Sequence, residues 1–179
     1  AVPRRCWNPP SPLEASRLLL NRGAGLLWAL RVAEGIEKAP DQDFVRRNAY
    51  KLWQALGDAL LLLHGGYQSR YQGRPEKLRQ VAGVEANILT NYERSLEFRL
   101  APGPEFGPQP PVTELQAAVQ AWLKIFLHCE STRLQQPAWT DPARYLQDPR
   151  PREPFAWKEV ARNLRHGRLS LQSRRQALY

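Results

Sequence analysis

Residues 48–67, NAYKLWQALGDALLLLHGGY, read as a helix and settle the chain's structural class. Val45, Ala49, Leu52, Leu56, Leu60 and Leu63 recur at steps of three and four, which places them on one side of an α-helix. Asp41 or Asp43 suits the positive end of the helix dipole, and Gly65-Gly66 suits a left-handed cap at the far end. Asn48, Lys51 and Asp58 stand out in this apolar helix. They share with Ala55 and Leu62 a stripe beside the core stripe. Lys51 and Asp58 lie about 10.5 Å apart along the axis, too far to pair directly. If buried, each needs a partner from a neighbouring helix or water, because an unpaired buried charge is very costly. The favoured role is therefore to hold the packing of helices in register; a groove for a ligand or partner is the alternative.

The flanking sequence repeats the helical period. SPLE at 11–14 reads as a capping box, and Leu13, Leu19, Leu20, Leu26, Leu27 and Leu30 carry a first helix to about Lys38, before Pro40. Gly23 and Gly25 weaken its middle by about 1 kcal/mol each relative to Ala, yet allow another helix to approach closely. A third helix is expected from Arg74 to about Leu100, using Leu78, Val81, Ala82, Ile88, Leu89, Tyr92 and Leu96. Residues 101–111, APGPEFGPQPP, hold five prolines and two glycines and predict an extended connector. A fourth helix follows from Thr113 to about Leu134, with Leu115, Val119, Trp122, Leu123, Phe126 and Leu127 inside. After a Pro-rich span, a shorter helix is expected from Phe155 to Arg168. The predicted architecture is all-α, an up-and-down four-helix bundle with an additional C-terminal helix. It divides one helical domain (1–179) into a linker-like start (1–10), a four-helix core (11–134), a connector (135–154) and a C-terminal helix with a basic tail (155–179).

At 179 residues and 42% hydrophobic, the chain is long enough for one sizeable core. No apolar run approaches the roughly 20 residues of a membrane helix, and the start AVPRRCWNPPSP lacks the apolar segment of a signal peptide, so a cytoplasmic protein is expected. That start resembles a linker, which together with the absence of methionine suggests a piece of a longer protein. Cys6 and Cys129 form no disulfide framework and are read as free thiols. The net charge of +9 is uneven: residues 150–179 carry eight Lys or Arg against Glu153 and Glu159. Such a segment suits an anionic partner.

Few patterns suggest chemistry. GGYQSRYQGRPEK, 65–77, interleaves Tyr67 and Tyr71 with Arg70 and Arg74, a combination that can stack on bases and contact phosphates. It can equally close the end of a bundle. In WKEVARNLRHGRLS, 157–170, Arg162 and His166 share a helix face that Arg165 and Arg168 widen. An Arg that steadies a phosphate and a His that moves a proton would serve RNA cleavage. This pair resembles the Arg-Asn start and closing His of HEPN-type ribonucleases, but three residues separate Arg162 from His166 where that motif has at least four. A solvated basic face is the favoured reading. GxGxxG, GxxxxGK[ST], CxxC and HExxH are all absent, and His128-Cys129 make a poor metal half-site, so no cofactor or metal is expected.

Asn48 and Lys51 in NxxK, the following ALGDALLLLHGGY (55–67) and Tyr71 resemble the helical domain found after the catalytic domain in bacterial nucleotidyltransferase-like proteins. LLLNRGAGLL (18–27) and RNLRHGRL (162–169) match the same domain in order and spacing. The resemblance implies a helical accessory domain, non-enzymatic by itself, similar to substrate-binding and HEPN bundles. Its partner would be a nucleotidyltransferase catalytic domain in the same or a neighbouring polypeptide, with a nucleotide or nucleic acid as further ligands. Asn21, Arg22, Asn48, Lys51, Asp58, Tyr67 and Tyr71 are the positions that match, and form the candidate ligand or partner surface. Arg70, Arg74, Arg165 and Arg168 are the candidate contacts for nucleic acid. A homodimer is compatible with the pattern, though no spacing demands one.

Overall fold

The Leu- and Ala-rich stripe around Asp58 forms the central helix of a computed structural model that describes residues 11–103, 106–136, 139 and 141–148. The helices are α1 (Pro12–Ala33), α2 (Phe44–Leu63), α3 (Arg74–Arg79), α4 (Ala86–Leu100), α5 (Val112–Arg133) and α6 (Pro142–Gln147), and no strand occurs among the described residues. None of these helices is long and apolar enough to cross a membrane. Two compact units divide the chain, Ala1–Thr140 and Asp141–Tyr179. The second is described only at 141–148, where Asp141 caps α6: its carboxylate accepts from the Ala143 N–H at 2.9 Å. The expected helix at Phe155–Arg168, with Arg162, Arg165, His166 and Arg168, lies outside the described residues.

Within the first unit, α2 packs against α1, α4 and α5, and buries Leu52, Ala55, Leu56, Ala59 and Leu61 to 2% exposure or less. Burying a leucine side chain fully stabilises the fold by about 1.5–3 kcal/mol. The helix ends as its glycines require: Gly65 takes φ +68°, and the Gly66 N–H reaches back to the Leu61 carbonyl at 2.8 Å. Contacts along the helices run in opposite order. Gly25 and Trp28 of α1 meet Asn48 and Phe44 of α2, while Gly57 and Tyr50 of α2 meet Tyr92 and Phe98 of α4. Ser16 and Gly23 of α1 meet Glu130 and Trp122 of α5. Each of these pairs is thus antiparallel. An added Cβ at Gly23 would lie 2.3 Å from the Trp122 ring, so this glycine lets α5 come close enough for the Trp122 indole to donate to the Leu19 carbonyl at 2.9 Å.

Four local expectations need correction. The expected third helix is two: α3 stops at Arg79, Gly83 takes φ +77°, which helical backbone cannot, and α4 starts at Ala86. Helix α1 stops at Ala33, short of Lys38, because the chain closes on a bond from the Ile36 N–H to the Arg31 carbonyl. Ser11 makes no side-chain cap bond, and Glu14 pairs with Arg17 at 3.1 Å instead of reaching back. Leu20 and Leu27, assigned to the core, are 45% and 43% exposed. In the connector, the described residues Phe106 and Gly107 turn back onto the helices. Arg46 donates to the Gly107 carbonyl at 2.7 Å, and buried Phe106 packs edge-on against Tyr50 and Phe98.

Candidate functional site

Asp58 sits in α2 just after Gly57, where an added Cβ would come within 2.2 Å of the Tyr92 ring. The missing side chain admits that ring from α4. The Tyr92 hydroxyl then donates to Asp58 Oδ1 at 2.7 Å, and the same oxygen accepts from Arg74 Nη1 at 2.9 Å. Gln54, one turn before Asp58, donates to Oδ2 at 3.3 Å. Asp58 is 6% exposed, Arg74 2% and Tyr92 fully buried. Burial pushes the Asp58 carboxyl above its ordinary range, against the pull of its three donors. Burial first, and the Asp58 charge second, push the Tyr92 phenol upward.

Arg74 spends the rest of its guanidinium on the loop that leads to it. Nε donates to the carbonyls of Gln68 at 2.7 Å and Arg70 at 3.1 Å, and Nη2 donates to the Ser69 carbonyl at 3.1 Å. Its flat faces are taken too. The Tyr67 and Tyr71 rings each lie 4.4 Å from the guanidinium carbon, and Arg99 of α4 stands 4.9 Å from Tyr71 on its own account. Tyr67, Arg74, Tyr71 and Arg99 therefore form a chain of alternating aromatic and cationic contacts, each worth about 0.5–2 kcal/mol depending on exposure. This fork of bonds suits arginine, whose planar donors lysine does not reproduce. Around the outside of the loop, Tyr67, Gln68, Ser69 and Arg70 line a cavity of about 450 Å³.

The structure thus gathers Asp58, Tyr67, Tyr71 and Arg74 from the residues chosen by sequence, with Arg70 beside them. Arg74, counted with the nucleic-acid contacts, is buried and fully engaged within the protein, whereas Arg70 is exposed. The remaining positions sit elsewhere. Asn48 donates to the Phe44 carbonyl in its own helix and turns its oxygen toward Gly25. Lys51 and Asn21 are exposed, and Arg22 is half-buried on α1. Sequence reasoning missed Tyr92 as more than a core residue, and missed Gln54 and Arg99. Its one available signal was Gly57, a glycine inside a Leu/Ala helix immediately before the buried acid.

A second buried acid lies on α5. Glu130 of α5, 2% exposed, accepts from Arg133 at 2.7 and 2.6 Å and from the Ser16 hydroxyl of α1 at 2.5 Å, tying the start of α1 to the end of α5. Next to it Cys129 is fully buried and free, and burial pushes its thiol up to about 12. Among the described residues no three His, Cys, Asp or Glu side chains gather to hold a metal ion. Compared with models of known families, with curated proteins and with solved structures, the chain matches none.

Proposed function

We propose that the chain is a non-catalytic, cytoplasmic accessory domain that binds a substrate or partner beside a nucleotidyltransferase-type catalytic domain. Its architecture in this reading is an up-and-down four-helix bundle (α1, α2, α4, α5) with an added carboxy-terminal helix. The antiparallel contacts of α2 with α1 and α4, and of α1 with α5, support that arrangement.

One observation carries the functional reading. The ionisable groups Asp58, Arg74 and Tyr92 bind one another and the 68–70 backbone, so they are spent on holding a surface loop in one shape. Groups arranged for proton transfer to a substrate need a free valence toward it; groups that pre-form a binding surface do not. The test is sedimentation velocity of the chain with the nucleotidyltransferase-type domain encoded before it or in a neighbouring frame, alongside an assay of nucleotidyl transfer by the chain by itself. A complex and no turnover are expected. Two independently sedimenting species, turnover by the chain, or no such domain encoded nearby would overturn the proposal.

A further inference from the structure

The loop 67–70 has an unusual distribution of hydrogen-bonding groups. Three successive carbonyls, of Gln68, Ser69 and Arg70, are turned inward to Arg74. Among the described residues, the backbone N–H groups of the same three residues make no hydrogen bond. The acceptors that would repel an anion are thus withdrawn, and the donors are left over. Their side chains add donors as well, since Gln68, Ser69 and Arg70 are all exposed, and no carboxylate lines the depression with Tyr67 among the described residues. Arg70 forms no ion pair among the described residues, so its charge is unspent. Adjacent unpaired amides with an arginine beside them are the kinds of group that bind an anion such as phosphate.

Tyr67 adds the second half of the recognition. Arg74 occupies one face of its ring and draws electron density toward itself, which suits the remaining ring surface to a flat, electron-rich partner such as a nucleobase. The depression that Tyr67 lines with Gln68, Ser69 and Arg70 is largely open to solvent and, at about 450 Å³, is large enough for one nucleotide. We infer that the 67–70 loop binds a nucleotide, with the phosphate on Arg70 and the loop amides and the base against Tyr67. The nucleotide is either free or part of a single strand. The inference rests on reading the chain as a binding module, and names the class of ligand it takes.

The test is a calorimetric or anisotropy titration of the chain with ADP, a single-stranded octanucleotide and inorganic phosphate, in the native protein and in Arg70→Gln, Tyr67→Leu and Tyr67→Trp variants. Because Arg70 contributes only its carbonyl to the fold, Arg70→Gln keeps the wild-type melting temperature and weakens binding about tenfold or more. Tyr67→Leu weakens ADP or the oligonucleotide about tenfold but leaves phosphate unchanged, and Tyr67→Trp restores the loss. Tighter binding of ADP identifies a free nucleotide as the source; tighter binding of the octanucleotide identifies a strand. Equal affinity for phosphate and ADP overturns the stacking half. No binding, or binding indifferent to Arg70→Gln, overturns the whole inference, and leaves complex formation with the catalytic domain as a separate result that decides the broader reading.

Discussion

Asp58 Oδ1 receives two donors from two other elements, the Tyr92 hydroxyl of α4 at 2.7 Å and Arg74 Nη1 at the start of α3 at 2.9 Å. A single carboxylate oxygen thereby joins α2 to α4 and to the loop that precedes α3. The hydroxyl is the simplest part to remove. Tyr92→Phe keeps the ring against Gly57 but leaves the buried oxygen one donor short, at an expected cost of about 1–3 kcal/mol in urea unfolding. No change in the midpoint would mean that the bond contributes nothing.

Arg74→Lys retains the charge and loses the fork. The three loop carbonyls then have no common donor, so we expect about 1–3 kcal/mol of lost stability and faster tryptic cleavage after Arg70 in the native state. Cleavage at the wild-type rate would show that the loop keeps its shape without the fork.

The glycines of α1 and α2 give a paired prediction. Gly57→Ala places a methyl within 2.2 Å of the Tyr92 ring, which cannot move without leaving Asp58, and should cost about 1–3 kcal/mol. Gly25→Ala meets only the tip of Asn48, 2.6 Å away, which can rotate. Its cost is offset by the roughly 1 kcal/mol gained in helix propensity, so its melting temperature should stay near wild type. Equal losses at both positions would contradict the close approach of α4 to Gly57.

His128 of α5 stacks 6.4 Å from His64, and burial first, then the neighbouring His64, holds its pKa below the ordinary 6.5. The folded chain therefore keeps this ring neutral while the unfolded chain protonates. Its contribution to stability is complete above about 6.5 and is lost as pH falls from there toward the lower folded value. Urea midpoints should drop less steeply over that interval in His128→Gln than in wild type, and parallel curves would contradict the assignment.

Cys129 is sealed, with its thiol pushed up to about 12. In a Cys6→Ser chain, a thiol reagent at mildly alkaline pH should react only on the timescale of unfolding. Rapid reaction in the native state would place Cys129 nearer the surface.

These features differ in how far the sequence displays them. The periodic stripes of α2 and α5 are local patterns, and both helices form within a few residues of where periodicity puts them. The break between α3 and α4 is harder to read, because Val81 and Ala82 continue an apolar pattern that only the left-handed Gly83 interrupts. For the candidate site, the polar character of Asp58, Tyr67, Tyr71 and Arg74 is visible, but their assembly is not. Asp58 meets Tyr92 across 34 residues of chain, a contact set by how α2 and α4 pack. Arg74 looks like a surface cation by composition, and is buried because one carboxylate and three carbonyls converge on it.

The central claim is that Asp58 and Arg74 act as one structural unit that shapes the 67–70 loop. A double-mutant cycle in urea unfolding with Asp58→Asn, Arg74→Gln and the pair together measures it directly. Each single change strands a buried partner and should cost about 3–5 kcal/mol, while the double change costs less than their sum by at least about 1 kcal/mol. Additive losses, within about 0.5 kcal/mol, would contradict the claim.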